Sequence, residues 1–299
     1  MSPVAQDTRL RGEWRESESL ARHTSWQVGG PADRFYLPAD ADDLAACLAT
    51  LPAGEPVFWL GLGSNLLVRD GGIRGTVIST RNVLGAVEAL GRGRIRAEAG
   101  VACAKVARFA AKHDLVGAEF LAGIPGTVGG ALAMNAGAWG GETWPHVDTV
   151  ETVDRSGRRR ERPVADFSFG YRTLEGPADE WFIAATFVFE EGDGAASRER
   201  IRALLAQRGR TQPTGTKSCG SVFRNPPGDH AARLIEAAGL KGKREGGAGV
   251  SEKHANFIIN HGHATAADIE TLIGRVAAEV ERRFGIRLQP EVRIVGESA

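Results

Sequence analysis

The sequence predicts an α+β fold, and three observations carry that prediction. Strand-like and helix-like runs are mixed without the regular strand–helix alternation of a parallel α/β chain. The loop Gly61-Leu62-Gly63-Ser64-Asn65-Leu66 resembles a dinucleotide fingerprint, but Leu66 stands where the third glycine belongs and no long amphipathic helix follows, so a Rossmann phosphate helix does not fit. Residues 117–142, GAEFLAGIPGTVGGALAMNAGAWGGE, hold eight glycines in 26 positions, with charge only at Glu119 and Glu142. Phe120, Leu121, Ile124, Val128, Leu132, Met134 and Trp139 make this stretch too apolar for a linker. Glycine lets backbone approach another surface closely and lets N–H groups face an anion. The stretch reads as a wall around a large, flat, phosphate-bearing ligand, or else as a tight core crossing of helix and strand.

Composition sets the outer bounds. With 299 residues, one to three domains fit. A hydrophobic content of 42% and a charged content of 25% are those of an ordinary soluble globular protein. Lys+Arg and Asp+Glu are both 37, so no excess charge draws the chain to nucleic acid or an anionic membrane. Cys47, Cys103 and Cys219 are odd in number, far apart and without a CxxC, which argues against a disulfide framework or a thiolate zinc site and fits a reducing cytoplasm. The first residues have no apolar run of the signal-peptide kind, and no stretch approaches the ~18 apolar residues a membrane span needs.

Taken in order, residues 1 to about 20 read as a polar arm. Gly29, Gly30 and Pro31 turn the chain between two short strand-like runs. Residues 40–51 form a helix capped by Asp40, with Leu44, Leu48 and Leu51 on one face. Residues 56–60 make a buried strand, 61–65 a tight loop, 66–68 an apolar run and 76–79 another strand. Residues 94–99 alternate as a strand does, and 101–113 form an amphipathic helix. After the glycine-rich stretch, 147–153, 159–163 and 181–190 are strands of an antiparallel sheet. A helix covers about 195–208, and a short one, 230–238, is closed by Gly239. Residues 254–260 read as a strand. Residues 265–284 form the clearest helix, capped by Thr265, striped by Ile269, Leu272, Ile273, Val276 and Val280, and ended by Gly285. A last strand, 286–295, is interrupted by Pro290.

Three short segments set reactive side chains among small, stiff neighbours: Gly170-Tyr171-Arg172, Gly220-Ser221-Val222-Phe223-Arg224-Asn225-Pro226, and Gln289-Pro290-Glu291-Val292-Arg293. Each also has a bland reading, with Arg172 in a surface ion pair, Ser221 in a turn and Glu291 a solvated strand carboxylate. A hydrolase elbow GxSxG, an HExxH zinc site and a phosphate loop GxxxxGK[ST] are all missing, and no metal site is expected.

In this order and spacing, WLGLGSNLLVRDGGIRGTVI, residues 117–142, FGYRT, CGSVFRNP and LQPEVRIVG resemble the UDP-N-acetylenolpyruvoylglucosamine reductases, the MurB flavoenzyme family. The likeness runs from about His23 to Gly296. It implies a two-part FAD-binding region of the vanillyl-alcohol oxidase, or PCMH, type at about 27–192, followed by a C-terminal α+β substrate domain. The implied divisions are 1–82, 83–200 and 201–299, with the flavin between the first two parts and the third. The resemblance places Gly61, Leu62, Gly63, Ser64, Asn65, Leu66 and Leu67 around the FAD pyrophosphate. It places Gly123, Ile124, Pro125, Gly126, Thr127, Val128, Gly129 and Gly130, with Asn135, Ala136, Gly137 and Gly141, along the rest of the flavin.

The family's reaction passes hydride from NADPH to the flavin and on to C3 of an enolpyruvyl ether, leaving carbanion character at C2 beside a carboxylate. Cationic or protic groups must meet that charge, and an acid must protonate C2. By position, Arg172 matches the arginine that clamps the carboxylate, Ser221 the proton donor and Glu291 the assisting glutamate. Tyr171 and Asn225 match substrate contacts, and Arg208 and Lys217 are candidates for the UDP phosphates. The implied partner is the small molecule UDP-N-acetylglucosamine enolpyruvate, with a cytoplasmic, monomeric protein expected. The sequence departs from the pattern at Leu174, where the family often has serine, and at Arg224, where lysine is common; the inserted tyrosine loop of the longer class is missing. Two alternatives stand beside this reading: an FAD oxidase of the same superfamily acting on a sugar or alcohol, and a nucleotide-binding protein without turnover.

Overall fold

An antiparallel sheet of five strands, in the order Arg159–Pro163, Val147–Asp154, Glu180–Val188, Arg94–Glu98 and Val87–Gly91, gives the first half of the chain its frame. The computed structural model describes residues 10–299 and divides them into two compact units. Unit 1 comprises residues 10–16, Arg34–Gly61 and Gly75–Ala203; unit 2 comprises Ser17–Asp33, Leu62–Arg74 and Leu204–Ala299.

In unit 1 the strands alternate as the sequence alternates. Val150 and Val153 are buried in different clusters, with a bulge between Glu151 and Thr152, while Glu151 pairs with Arg96 across the intervening strand. Two buried clusters flank this sheet. The first is closed by helix α1, Ala41–Thr50, whose Asp40 cap accepts the Asp43 N–H at 2.9 Å and whose Leu44 and Leu48 are fully buried. The second gathers α2, Cys103–Lys112, with Phe120, Leu121, Val128 and Leu132 from the glycine-rich stretch and Trp144 just after it. That stretch is therefore core. It folds as a 3-10 turn Glu119–Gly123, a short helix α3, Val128–Ala133, and a tight hairpin of Gly137–Ala138 with Gly141–Glu142. Two of its glycines leave no room for a side chain: a Cβ on Gly141 would stand 2.5 Å from the Phe120 ring, and one on Gly123 2.7 Å from Ala138.

Helix α4, Gly194–Thr211, runs from unit 1 into unit 2. The core of unit 2 is built on α5, Ala231–Ala237, and α6, Ala266–Phe284. The expected α6 forms as the sequence dictates, with a reciprocal capping box between Thr265 and Asp268 and Gly285 left-handed at φ 68°. Asp70, from the VRDGG run, adds a second cap, accepting from Ala266 N and Ala267 N at 2.9 Å each. Its neighbour Arg69 forms a two-pronged pair with Glu270. Strand Arg293–Val295 pairs in parallel with Leu66–Val68.

Four sequence expectations need correction. Residues 1–9 of the expected arm lie outside the described residues, but Glu13–Ser19 is a strand and Leu20–His23 a 3-10 turn. The run before Gly29 is not a strand; Trp26 is buried there and donates its indole N–H to Ile258 O at 2.7 Å. Only Ile258–Asn260 of the expected strand 254–260 is extended, because the Phe257 N–H closes a turn onto His254 O. The last strand is confined to Arg293–Val295, since residues 286–290 lead into Pro290, which lacks a ladder donor.

Candidate functional site

Unit 1 presents Arg172 on a tight hairpin. Ser168–Gly170 and Thr173–Glu175 pair antiparallel with Gly170 opposite Thr173, so Tyr171 and Arg172 alone make the loop. Arg172 holds φ at 57°, a left-handed conformation that a long side chain adopts at a cost of about 1 kcal/mol or more. The guanidinium donates from Nη2 to Gly137 O at 3.0 Å and from Nη1 to Asn135 O at 3.4 Å, and lies 5.4 Å from the centre of the Tyr171 ring. Tyr171 itself is half exposed.

Asn135 joins this hairpin to the glycine-rich segment. It is fully buried, with φ at 44°. Its amide donates to Glu142 Oε2 at 2.9 Å and to Gly170 O at 3.0 Å, while its Oδ1 accepts the Trp144 N–H at 3.0 Å. The side chain predicted to line a flavin is thus committed inside the protein and fixes the base of the Arg172 turn. Leu174, the departure from the family pattern, packs against the core beneath the same hairpin.

Two stretches of backbone suit an anion or a cofactor edge. Among the described residues, the N–H groups of Leu62, Gly63 and Ser64 in unit 2 donate no hydrogen bond. Gly63 is buried at φ 58°, and a Cβ there would stand 2.1 Å from His23 O. In unit 1, Gly126 O accepts from Cys103 N and the Val128 N–H donates to Val101 O, which leaves the N–H groups of Gly126 and Thr127 without partners among the described residues. The Thr127 hydroxyl accepts from Gly130 N at 3.3 Å, and a Cβ on Gly61 would stand 2.6 Å from it. Undonated amides beside glycines that tolerate no side chain fit a phosphate-bearing cofactor. Ile124, Val128 and Ala136 are buried and Pro125 is exposed, so not every position in that segment offers its side chain to a ligand. Leu66 and Leu67 are buried strand residues of unit 2.

Unit 2 brings two predicted catalytic residues onto neighbouring segments. Glu291 N donates to Val222 O at 2.7 Å and Arg224 N to Gln289 O at 2.9 Å, so the run that begins at Ser221 lies antiparallel to the run that carries Glu291. Gly220, at φ 85°, makes the turn into Ser221. Ser221 is partly exposed, and its hydroxyl has no hydrogen bond among the described residues. Asn65 binds the far side of this pair, its amide reaching Glu291 O at 3.1 Å while its own O accepts from Arg293 N. Burial first, and the Glu291 charge second, push the Cys219 thiol well above its ordinary range, so it stays an inert thiol two residues from Ser221.

The predicted substrate contacts other than Tyr171 are spread through unit 2. Arg208 is on α4, where burial lowers its guanidinium pKa and its Nε–H donates to Gln212 Oε1 at 2.9 Å. Lys217 is partly buried, its backbone O accepting from Asn260 N. The Asn225 Oδ1 accepts from Ala231 N at 3.1 Å and so caps α5. Sequence reading missed Glu142 and Asn256. Asn256 is a buried amide whose Oδ1 accepts from Phe223 N at 2.9 Å and whose Nδ2 donates to Phe223 O at 2.8 Å. The available signal was a lone asparagine inside the apolar run ANFII.

Residues 32–161 match the FAD binding domain model, which sets the class: an FAD-binding protein. Residues 212–295 match the UDP-N-acetylenolpyruvoylglucosamine reductase C-terminal domain. The UDP-N-acetylenolpyruvoylglucosamine reductase of Methylococcus capsulatus is 64% identical over 288 residues, covering 96% of this chain and 95% of that protein. That of Alkalilimnicola ehrlichii is 62% identical over 296 residues, 99% of each. The crystal structure of the Thermus caldophilus enzyme (MurB) superposes with a TM-score of 0.81 at 32% identity, covering 95% of this chain and 99% of that one. The chain belongs to the UDP-N-acetylenolpyruvoylglucosamine reductase family. The α+β expectation, an FAD-binding region followed by the reductase's C-terminal domain, holds.

Proposed function

We infer that this protein reduces UDP-N-acetyl-enolpyruvylglucosamine to UDP-N-acetylmuramate with NADPH as reductant and FAD as cofactor, a step of peptidoglycan precursor synthesis. Bound FAD would supply the hydride transfer between NADPH and C3 of the enolpyruvyl group. The protein's own residues manage charge and protons. Arg172 clamps the substrate carboxylate with a planar fork suited to two parallel hydrogen bonds. Ser221 delivers a proton to C2; a serine hydroxyl is a weak acid, but adequate toward a carbanion-like centre. Glu291 assists on the segment next to Ser221. Tyr171 and Asn225 contact substrate, while Arg208 and Lys217 face the UDP phosphates. The loop of Leu62, Gly63 and Ser64 takes the FAD pyrophosphate through its backbone amides, and the Gly123–Gly130 segment lines the rest of the flavin.

The observation that carries the catalytic assignment is the uncommitted Ser221 hydroxyl on a run bonded directly to the Glu291 run. The functional parts are 1–82 and 83–200 for FAD and 201–299 for substrate. A cytoplasmic monomer that binds no nucleic acid fits nucleotide substrates and zero net charge. Among the described residues no helix is long and apolar enough to cross a membrane. The test is an anaerobic titration of purified protein. NADPH should bleach the yellow flavin spectrum and the UDP-sugar enol ether should restore it. Restoration by oxygen alone, with the enol ether inert, would favour an oxidase, and protein that takes up no FAD would leave only a nucleotide binder.

A further inference from the structure

Residues 222–224 form a narrow strip whose two edges are held by different means. On one edge Val222 O accepts from Glu291 N at 2.7 Å and from Val292 N at 3.4 Å, and Arg224 N donates to Gln289 O at 2.9 Å. On the other edge stands a single residue, Asn256. Its backbone O accepts from Val222 N at 2.9 Å, and its side chain takes both polar groups of Phe223, N–H at 2.9 Å and O at 2.8 Å. An asparagine side chain here replaces the partner strand that the strip lacks, giving the same donor–acceptor pair that a ladder would. Asn256 is only 4% exposed, and Val222 and Phe223 are buried beside it, so water does not substitute for these bonds.

We propose that Asn256 is a positioning residue of the reductase, fixing the Ser221 run against the Glu291 run so that proton donor and assisting carboxylate keep one relative placement. Asn256 touches neither reacting group; it acts through Val222 and Phe223. The strip begins one residue after Ser221 and pairs directly with Glu291, so a shift at Asn256 moves both. A misplacement of about 1 Å costs on the order of 10²-fold in a step that depends on orientation. The inference rests on the reading of Ser221 as proton donor.

The test is a double-mutant cycle of Asn256→Ala and Ser221→Ala, with the two half-reactions of the FAD-loaded protein followed separately. Asn256→Ala should leave flavin reduction by NADPH within about twofold of wild type and slow reoxidation by the enol ether by roughly 10²-fold, with kcat falling more than KM changes. In the Ser221→Ala background, adding Asn256→Ala should slow reoxidation by no more than about threefold, because the group it positions is already gone. Asn256→Asp, which keeps the acceptor for Phe223 N but faces Phe223 O with an oxygen, should slow reoxidation at least as much as Asn256→Ala near neutral pH. Losses that multiply across the cycle would overturn the proposal in favour of a purely architectural asparagine, as would both Asn256 variants losing cooperative melting. A Ser221→Ala variant that reoxidises at the wild-type rate would instead sink the donor reading, and this inference with it.

Discussion

Asn135→Asp exchanges one amide nitrogen for oxygen in a fully buried site, and the structure gives the consequence a sign and a size. The new carboxylate keeps its acceptor for the Trp144 N–H, but its second oxygen stands about where Nδ2 donated, 2.9 Å from Glu142 Oε2 and 3.0 Å from Gly170 O. Two charges roughly 3 Å apart repel by about 5–6 kcal/mol at an effective dielectric of about 20. That exceeds the cost of holding one proton at neutral pH, about 1.4 kcal/mol for each pH unit above an ordinary carboxyl pKa near 4. The variant therefore keeps a proton between the two carboxyls. A carboxyl whose folded pKa is raised is stable below its unfolded pKa and loses stability as pH rises toward the folded one. The penalty should be small near pH 4, about 2 kcal/mol at pH 5.5 and about 4 kcal/mol at pH 7. The last figure corresponds to a drop of roughly 6 °C in Tm. Asn135→Ala leaves the same neighbours unpaired without adding charge, and should cost about 3 kcal/mol at every pH. Thermal melts of both variants between pH 5 and 8 decide the matter. A deficit in Asn135→Asp that does not grow with pH would refute the assigned amide orientation and the network built on it.

Three other outcomes are expected. Arg172→Lys keeps the charge but loses the planar fork that reaches Gly137 O and Asn135 O, so reoxidation by substrate should slow about 10²-fold while reduction by NADPH persists; stopped-flow absorbance measures both. Asp70→Ala removes the acceptor for two N–H groups at the start of α6 and should lower stability by about 1–2 kcal/mol in urea unfolding with activity retained. The α6 carboxyls Asp268, Glu270 and Glu279 all sit below their ordinary range, held by the Thr265 backbone, the Arg69 side chain and the Arg282 side chain respectively, with Glu279 down to about 2. Groups depressed in the folded state stabilise above their unfolded pKa, so Tm should hold near neutrality and fall as pH drops from about 4.5 toward 2; a flat profile there would contradict these pairings.

What the sequence made legible follows from how locally each feature is encoded. Helix α6 carries its own start, stripe and stop within twenty-odd positions, so Thr265, the Ile269–Val280 stripe and Gly285 were readable without any partner. Close approach to the glycine-rich stretch was readable because side chains are missing among large apolar ones, but that signal does not distinguish a ligand from the protein's own core. The Asp70 cap was not, because its helix lies 196 positions away. Residues 254–257 misled because ANF has a strand's composition, whereas Asn256 spends its amide on Phe223 and forces a turn. Nothing in the sequence signals that Glu142, Trp144 and Gly170 consume the Asn135 side chain. The pairing of the Ser221 and Glu291 runs also joins distant segments, and only the family's motif order pointed to it.

The claim on which all of this turns is that Ser221 hands a proton to substrate carbon, and stopped-flow measurement of the two half-reactions in Ser221→Ala tests it most directly. With FAD bound, NADPH should bleach the variant at close to the wild-type rate, and the enol ether should restore its colour slower by roughly 10²–10⁴-fold. Equal losses in both half-reactions, or none in the second, would contradict it.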